Sequence, residues 1–219
     1  NATFTFQTLK APYHISINNA GKKFGKEWIF RKVNLEILQG DKIVILGLNG
    51  SGKSTLLQAL STYLSLNEGT IVLKKENEIL DSDDVYKYIS YASPYIELIE
   101  DFTLIETINY SAHFKPFINN FDSNKILELS GLIEHKDKFI HQFSSGMKQR
   151  LKLTLAILAN CPILLLDEPT SNLDITVIDW YKNLINDYAN QKTIIVCSNS
   201  IKEEYLFCTK SVNMTDFKV

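Results

Sequence analysis

The segment GLNGSGKST, residues 47–55, constrains the fold of this chain more than any other segment. It follows the apolar, β-branched run KIVILG, which is typical of a strand buried on both faces, and it leads into a helical pattern from Lys53 to about Leu64. In this strand–loop–helix setting, GxxxxGK[ST] is the phosphate-binding P-loop pattern. The alternative, a Gly/Ser-rich turn with an incidental lysine, leaves the strand and helix on either side unexplained.

The chemistry of this segment predicts a bound nucleoside triphosphate with Mg²⁺. Glycines let the backbone wrap closely around a polyphosphate with N–H groups pointing inward, and the following helix adds the positive end of its dipole. Lys53 would counter the charge of the β and γ phosphates, and the Ser54 hydroxyl would ligate the cation. The residues predicted to contact the nucleotide are Gly47, Leu48, Asn49, Gly50, Ser51, Gly52, Lys53, Ser54 and Thr55.

Composition excludes several other classes of protein. With 45% apolar and 22% charged residues over 219 positions, the chain is globular and long enough for a sizeable core. A net charge of −2 lacks the basic surplus of a dedicated nucleic-acid binder, so no nucleic-acid partner is expected. No apolar run approaches the ~20 residues that span a bilayer, and no signal-peptide pattern is seen. Three cysteines without CxxC spacing suggest neither disulfides nor zinc, and a cytoplasmic location is expected.

Alternating strand and helix patterns predict an α/β protein. From about residue 94 to residue 160 the pattern changes and becomes mostly helical, with Gly131 as a helix terminator. We therefore expect an α/β core with a helical insertion. The predicted strands are HISINN (14–19), VNLEIL (33–38), KIVILG (42–47), TIVLK (70–74), ILLLD (163–167) and TIIVCS (193–198), and the predicted helices lie at 53–64, 103–114, 124–132, 147–159 and 177–188.

Two adjacent acids follow one of these buried strands, in the segment ILLLDEP. Asp167 and Glu168 stand at its carboxyl end, where ligands of open α/β sheets bind. Asp167 is placed to hold Mg²⁺, and Glu168 to polarise an attacking water. The alternative is a polar turn ended by Pro169. Beside a P-loop, the adjacent pair favours hydrolysis over transfer to an organic acceptor.

The segment FSSGMKQR, residues 143–150, places two serines and a glycine directly before a helical pattern. A serine there caps the helix, and the same exposed N–H groups and hydroxyl can bind a γ-phosphate. Together with the P-loop and ILLLDEP, this segment resembles the signature motif in the ATPase domains of ABC transporters, with 23 residues between Ser144 and Asp167. Residues 171–174, SNLD, resemble the D-loop of that family. The motifs occur in family order over about residues 14–214.

This resemblance implies a fold and a mechanism shared between two chains. The fold class would be α/β: a P-loop NTPase core sheet (14–93 and 161–219) with an inserted α-helical subdomain (about 94–160) and an N-terminal antiparallel β subdomain, forming a single domain over 1–219. Each ATP would lie between the P-loop of one chain and the signature of another, in a homodimer or heterodimer with another ABC ATPase domain. The residues that the resemblance assigns in this way are Ser144, Ser145, Gly146 and Met147 in the signature, Asp174 in the D-loop, and Phe24 as the aromatic stacked on adenine.

Two positions depart from the family pattern. Ser93-Pro94-Tyr95 stands where the family usually has a glutamine that contacts the metal and water, and Glu97 is a possible substitute. Asn199 stands where the family has its switch histidine. Asn199 can still donate a hydrogen bond to a γ-phosphate and is predicted to be catalytic with Glu168, although it cannot take up a proton. The alternative is that Asn199 caps a helix in SIKEEYLF. These changes bear on the hydrolysis rate more than on binding.

The resulting function is an ATP-binding and ATP-hydrolysing subunit that energises a membrane transporter through ATP-driven dimerisation. It would sit on the cytoplasmic face of the membrane through a membrane-spanning permease subunit, with ATP and Mg²⁺ as cofactors. The short segment after KSVNM favours the exporter type. Two alternatives stay open: a soluble ABC ATPase of a non-transport assembly, such as iron–sulfur cluster maturation, and a nucleotide-gated module with weak turnover.

Overall fold

A computed structural model describes residues 12–76 and 78–218 of the chain, so the first eleven residues of the predicted domain lie outside the described part. Two sheets and five α-helices make up this part. The strands are β1 (Tyr13–Phe24), β2 (Glu27–Leu38), β3 (Lys42–Leu46), β4 (Glu68–Lys75), β5 (Glu78–Ile79), β6 (Ile89–Ala92), β7 (Ile163–Asp167), β8 (Thr193–Ser198) and β9 (Lys210–Asn213). The helices are α1 (Lys53–Leu60), α2 (Leu104–Phe114), α3 (Ser123–Ser130), α4 (Ser145–Leu158) and α5 (Ile175–Tyr188).

The first sheet is antiparallel, with the order β2-β1-β4-β5. Its long hairpin of β1 and β2 turns at Gly25, whose φ of 58° is left-handed. The sequence predicted only the outer ends of this hairpin. The register shifts between Ile17 and Ala20 and again between Ala20 and Lys22. Each such bulge breaks the alternation of apolar and polar residues on which the prediction rested.

The second sheet is parallel, with the order β6-β7-β8-β3-β9. Every residue of β7 and β8 is buried, as the continuous apolar runs ILLLD and TIIVCS predict for central parallel strands. The edge strand β9 was not predicted, because its short segment KSVN is mostly exposed and carries no apolar pattern. The carboxyl ends of β3, β6, β7 and β8 meet at one edge, where the P-loop and both predicted acids lie.

Three helices lie between β6 and β7. The capping box of Thr103 and Glu106 begins α2, and Gly131, with φ 64°, ends α3 as predicted. Side chains of these helices share one apolar core with the sheet: Leu104 and Ile126 belong to the same cluster as Leu164. The parallel and antiparallel sheets confirm the predicted α/β fold, while the division at about residues 94 and 160 stays a prediction.

One helix is shorter than expected. The sequence predicted that the helix after the P-loop runs to about Leu64, but α1 ends at Leu60. Thr62 adopts a left-handed φ of 62°, which an α-helix cannot contain. None of the helices in the described residues combines the length and apolar character needed to cross a bilayer.

Candidate functional site

The P-loop joins β3 to α1 in a path that only small residues allow. Gly50 and Gly52 have left-handed φ values of 74° and 96°. A Cβ at Gly47 would lie 2.4 Å from Ser51 Oγ, and one at Gly52 would lie 2.7 Å from Ile29 Cγ2. The glycine spacing of the motif is therefore required by both backbone conformation and close packing.

Lys53, the first residue of α1, is almost completely buried at the mouth of this loop. Its Nζ donates hydrogen bonds to Gly47 O (2.7 Å) and Leu48 O (3.1 Å) of the loop and to Asn199 Oδ1 (2.5 Å). Glu168 Oε1 lies 3.9 Å from the same nitrogen. One ammonium group thus joins the P-loop to the ends of β7 and β8.

A cavity of about 230 Å³ opens in front of the P-loop. Phe24, the aromatic predicted to stack on adenine, is half-exposed at the end of β1, with Lys22 Nζ 5.2 Å from its ring centroid. Phe24 is not one of the described residues that line the cavity, whereas Tyr95, which the sequence did not single out, is one of them. The lining residues are Ile29, Asn49, Gly50, Ser51, Gly52, Lys53, Ser54, Thr55, Tyr95 and Glu168.

Asp167 is fully buried at the end of β7. Its Oδ2 lies 3.4 Å from Ser93 Oγ and 3.5 Å from Tyr91 Oη, while Oδ1 has no hydrogen-bond partner in the described residues. Burial raises the pKa of the Asp167 carboxyl, and the nearby Ser54 hydroxyl works against that rise. A buried carboxylate oxygen without a donor, beside a hydroxyl, is a donor set that suits a hard divalent cation. Asp167 and Ser54 therefore fit the predicted Mg²⁺.

Glu168 has a left-handed backbone, with φ 44°, which is unusual for a residue other than glycine. Its N–H donates to Cys197 O of β8 (2.9 Å), and its carbonyl accepts from Ser171 N (3.0 Å). These two bonds hold the strained conformation, and strain of this kind is concentrated at functional sites. The side chain is about a quarter exposed and points towards Lys53 and Asn199.

Asn199 connects three of the predicted site residues. Its Nδ2 donates to Glu168 Oε1 (2.8 Å) and to Asn49 Oδ1 (2.5 Å), while its Oδ1 accepts from Lys53. The capping alternative for Asn199 is wrong. The segment after it forms a short 3-10 turn, Lys202–Glu204, which follows Ile201 and has no side-chain cap.

The segment at the usual glutamine position reaches the site through Ser93 and Tyr95, the two neighbours of Pro94. Ser93 Oγ contacts Asp167, as described above, and accepts from Tyr95 N (3.3 Å). Pro94 contributes only its carbonyl, which accepts from Lys152 Nζ (2.8 Å). Glu97 lines a different cavity, so its proposed role as a substitute finds no support in this geometry.

The predicted signature forms a second, separate cleft at the start of α4. Ser144 caps α4 by accepting from Met147 N (3.2 Å), as the sequence predicts, and both Ser144 and Ser145 are exposed. A Cβ at Gly146 would lie 2.8 Å from Asn172 O in the D-loop. A cavity of about 140 Å³ is lined by Leu132, Ser144, Gly146, Met147, Arg150, Asn172, Leu173, Asp174 and Val177. Signature and D-loop therefore lie together, apart from the P-loop cavity of the same chain.

Comparison with known proteins gives a consistent picture. The family model described as "ABC transporter" matches residues 30–171. The spermidine/putrescine import ATP-binding protein PotA of Fusobacterium nucleatum subsp. nucleatum is 33% identical over 163 residues, which are 73% of this chain and 43% of that protein. The lantibiotic transport ATP-binding protein SrtF of Streptococcus pyogenes is 27% identical over 205 residues, covering 87% of this chain and 81% of that protein. This chain spans less than half the length of PotA.

Solved structures share the fold. A dimeric post-hydrolysis structure of the ATP-binding cassette MJ0796, bound to ADP and Pi, matches with a TM-score of 0.76 and 26% identity, covering 91% of this chain and 93% of that one. A bacterial Atm1-family ABC exporter with ATP bound matches with a TM-score of 0.73 and 18% identity, over 88% of this chain and 35% of that one, which shows likeness of fold alone.

Proposed function

We infer that this chain, which belongs to the ABC transporter family, binds ATP with Mg²⁺ and hydrolyses it to drive a membrane transporter. The observation that carries this proposal is the contact between Asn199 Nδ2 and Glu168 Oε1 at 2.8 Å, beside the buried ammonium of Lys53. A base, its orienting amide and a phosphate-binding cation converge at one edge of the sheet. That constellation suits attack of water on a γ-phosphate.

Each residue has a distinct part in this proposal. Lys53 and the N–H groups of the P-loop hold the β and γ phosphates, and Ser54 with Asp167 would hold Mg²⁺, which neutralises developing phosphate charge when bound. Glu168 orients the attacking water and accepts its proton. Asn199 fixes the Glu168 carboxylate through one N–H and has the other N–H directed at Asn49 in the P-loop.

The separation of the two clefts supports a dimer in which they meet. In one chain, the exposed hydroxyl of Ser144 and the start of α4 lie in a cavity that shares no described lining residue with the P-loop cavity. A second ABC ATPase domain, identical or related, would bring its signature over the ATP held by this chain. The MJ0796 cassette to which this chain is similar is itself described as dimeric.

A membrane-spanning permease is the proposed partner, with this chain on its cytoplasmic side. Relatives of this chain are named as import proteins, for spermidine/putrescine and for Fe(3+) ions, and as transport proteins, for bacitracin and for a lantibiotic. We propose the exporter type. A transport assay in inverted membrane vesicles tests it, because ATP added outside should drive substrate into the vesicles for an exporter and out of them for an importer.

A nucleotide-gated module with weak turnover is a second candidate. It is favoured by Pro94, which has no side-chain donor at the usual glutamine position, and by Asn199, which cannot carry a proton. The turnover number separates the candidates. A transporter subunit should hydrolyse ATP faster when its permease is present, whereas a gating module should hold ATP for long periods in both conditions.

The dimer provides the main test of the proposal. Glu168→Gln should keep ATP bound but unhydrolysed, so the protein should convert from monomer to a persistent dimer when Mg-ATP is added. Adding Ser144→Arg should abolish that dimer, because bulk and charge would fill the phosphate-facing cleft. Size-exclusion chromatography with light scattering measures both, and Ser82→Arg, on an exposed loop, is the control. A Glu168→Gln protein that stays monomeric at high concentration with ATP would exclude homodimerisation and point to a heterodimer.

A further inference from the structure

A buried acid lies behind the proposed catalytic site. Glu204 ends the 3-10 turn that follows β8 and is completely buried. Its Oε1 accepts two hydrogen bonds from Thr170, from the backbone N–H (3.1 Å) and from Oγ1 (2.8 Å). Its Oε2 has no hydrogen-bond partner in residues 12–76 and 78–218. Tyr181 Oη donates to the backbone carbonyl of Glu204 (2.9 Å) and leaves the carboxyl free for Thr170.

A carboxyl group is costly at this position if it serves packing alone. Burial raises the pKa of Glu204, and the nearby Glu168 raises it further, while the Ser198 hydroxyl and the hydrogen bonds from Thr170 oppose the rise. An apolar side chain of similar size would avoid both the desolvation of the carboxyl and its unpaired oxygen. What the carboxyl provides, and an apolar side chain could not, is the pair of hydrogen bonds with Thr170, which is 34 residues away in the sequence.

Thr170 and Glu204 belong to the two segments that form the site. Thr170 stands two residues after Glu168, and its carbonyl accepts from Leu173 N (3.0 Å), which makes it the start of the turn that leads to the D-loop. Glu204 stands five residues after Asn199, at the exit of β8. The Glu204 carboxyl therefore links the segment that carries Glu168 to the segment that carries Asn199. This link is additional to the 2.8 Å contact between Glu168 and Asn199 themselves.

We propose that Glu204 is a positioning residue for ATP hydrolysis. By fixing Thr170 it holds the segment of Glu168 and the D-loop against the segment of Asn199, so that base and amide keep their geometry. Glu204 itself touches no nucleotide. This inference rests on the proposed hydrolysis by Glu168. The link between Thr170 and Glu204 should also hold the two segments together in the protein without nucleotide.

Four variants separate positioning from general stability. Thr170→Val keeps the shape and the N–H but removes the hydroxyl donor, and Glu204→Leu removes the acceptor. Glu204→Gln keeps an acceptor oxygen towards Thr170. Tyr181→Phe is the matched control, because it removes a buried hydroxyl from the backbone of Glu204 without affecting the carboxyl.

Steady-state kinetics with Mg-ATP give the first readout. Thr170→Val should lower kcat by about tenfold and Glu204→Leu by about 10- to 100-fold, with KM nearly unchanged, because misplacement of the base affects chemistry more than binding. Glu204→Gln should restore kcat to within about threefold of the parent, since the bond to Thr170 remains. Tyr181→Phe should lower the melting temperature without lowering kcat. Equal losses of kcat in Tyr181→Phe and Thr170→Val would overturn the proposal.

Hydrogen exchange without nucleotide gives the second readout. Peptides covering residues 169–174 and 199–206 should both exchange faster in Thr170→Val and Glu204→Leu, whereas Tyr181→Phe should leave 169–174 unchanged. Unchanged exchange of both peptides in Thr170→Val would also overturn the proposal. If Glu204→Leu does not fold, Thr170→Val and Glu204→Gln still test the positioning role of Glu204. If both peptides exchange faster in the variants but the parent protein has no ATPase activity, the proposed hydrolysis is refuted and the structural link through Glu204 stands.

Discussion

The P-loop cavity and the signature cavity are built by different means. Around the P-loop cavity, the side chains of Lys53, Asn49, Glu168 and Asn199 form a hydrogen-bonded network that includes a buried ammonium. The signature cavity relies on a helix N-terminus and close backbone contact, since the Ser144 hydroxyl is bonded within α4. The P-loop cavity therefore offers a nucleotide charged side chains that are held in position, whereas the signature cavity offers the backbone N–H groups at the start of α4 and a close steric fit. We expect mutations to affect them in correspondingly different ways.

Removal of the ammonium should have the largest effect. Lys53→Ala deletes the one buried cation of the network, and it should weaken Mg-ATP binding by at least about 100-fold, because hydrogen bonds to charged groups are strong and lie here in a protected site. Isothermal titration calorimetry of the parent and the variant measures this. Lys42→Ala, which removes a surface lysine bonded to Asn190, is the control. Unchanged affinity in Lys53→Ala would refute the assignment of the P-loop.

The two cavities also differ in how far the sequence predicts them. The P-loop pattern is local and strict, so it identifies the loop, the strand before it and the helix after it. The sequence named Ser93 and Tyr95 only as part of the segment at the glutamine position, and it did not single out Glu204. The roles of these residues depend on contacts far away in the sequence, such as that of Ser93 with Asp167, 74 positions later. Such contacts follow from the order of strands in the sheet, which no local pattern specifies. The hairpin was missed in part for a related reason, since its bulges disrupt the alternation.

The signature is less strict in sequence, and its identification depended on its spacing from the other motifs. The structure places Gly146 against the D-loop and so accounts for the glycine, while Ser144 by itself is explained by capping. Asn199 was recognised from the family resemblance, as the residue at the position of the switch histidine. Its bond to Asn49, 150 residues away, was not predicted.

Loss of the Asn199 side-chain amide should have the next largest effect, and it should lower the rate of ATP hydrolysis more than the affinity for nucleotide. Asn199→Ala removes the N–H that holds Glu168, and a hydrogen bond to a charged group is worth roughly 1.5–3 kcal/mol, so turnover should fall by about one to two orders of magnitude. Asn49→Ala is the matched variant, because it breaks the bond between the two asparagines but keeps the bond between Asn199 and Glu168, and it should cost less. Asn199→His should retain or raise activity. ATPase assays on the dimer, or with the permease, measure all three, and a fully active Asn199→Ala would remove Asn199 from the site.

A methyl group in the signature cavity should have a smaller effect of a different kind. Alanine at position 146 favours the helix by up to about 1 kcal/mol relative to glycine, yet its Cβ would lie 2.8 Å from Asn172 O and must displace the D-loop. The displacement of a backbone oxygen should offset the gain in helix propensity, so Gly146→Ala should not raise the melting temperature, and it should weaken the ATP-bound dimer of Glu168→Gln several-fold. Ser82→Ala, at an exposed position that lines neither cavity, should leave the dimer intact. A dimer of unchanged stability in Gly146→Ala would mean that the D-loop contact does not matter for assembly.

The last expected effect is on stability and not on ATP binding or turnover, and it concerns the carboxyl end of α4, opposite the signature end. Lys192 is buried, and its Nζ donates to Ile157 O (2.8 Å) and Ala159 O (2.6 Å) at the carboxyl end of that helix. Burial lowers the pKa of Lys192 from 10.5 to about 8, and the nearby Cys161 partly opposes this. Between these two pH values the unfolded chain binds more protons than the folded one, so the free energy of unfolding should rise with pH, by at most about 1.4 kcal/mol per pH unit. Below pH 8 both states are protonated and this contribution should be constant.

Urea unfolding from pH 7 to pH 10 measures this contribution. The free energy of unfolding should show the extra slope with pH in the parent and not in Lys192→Met. The difference between the two proteins removes the contributions of the other titrating groups. Equal slopes in the two proteins would show that Lys192 keeps its ordinary pKa, and that α4 is held at this end by packing rather than by a desolvated charge.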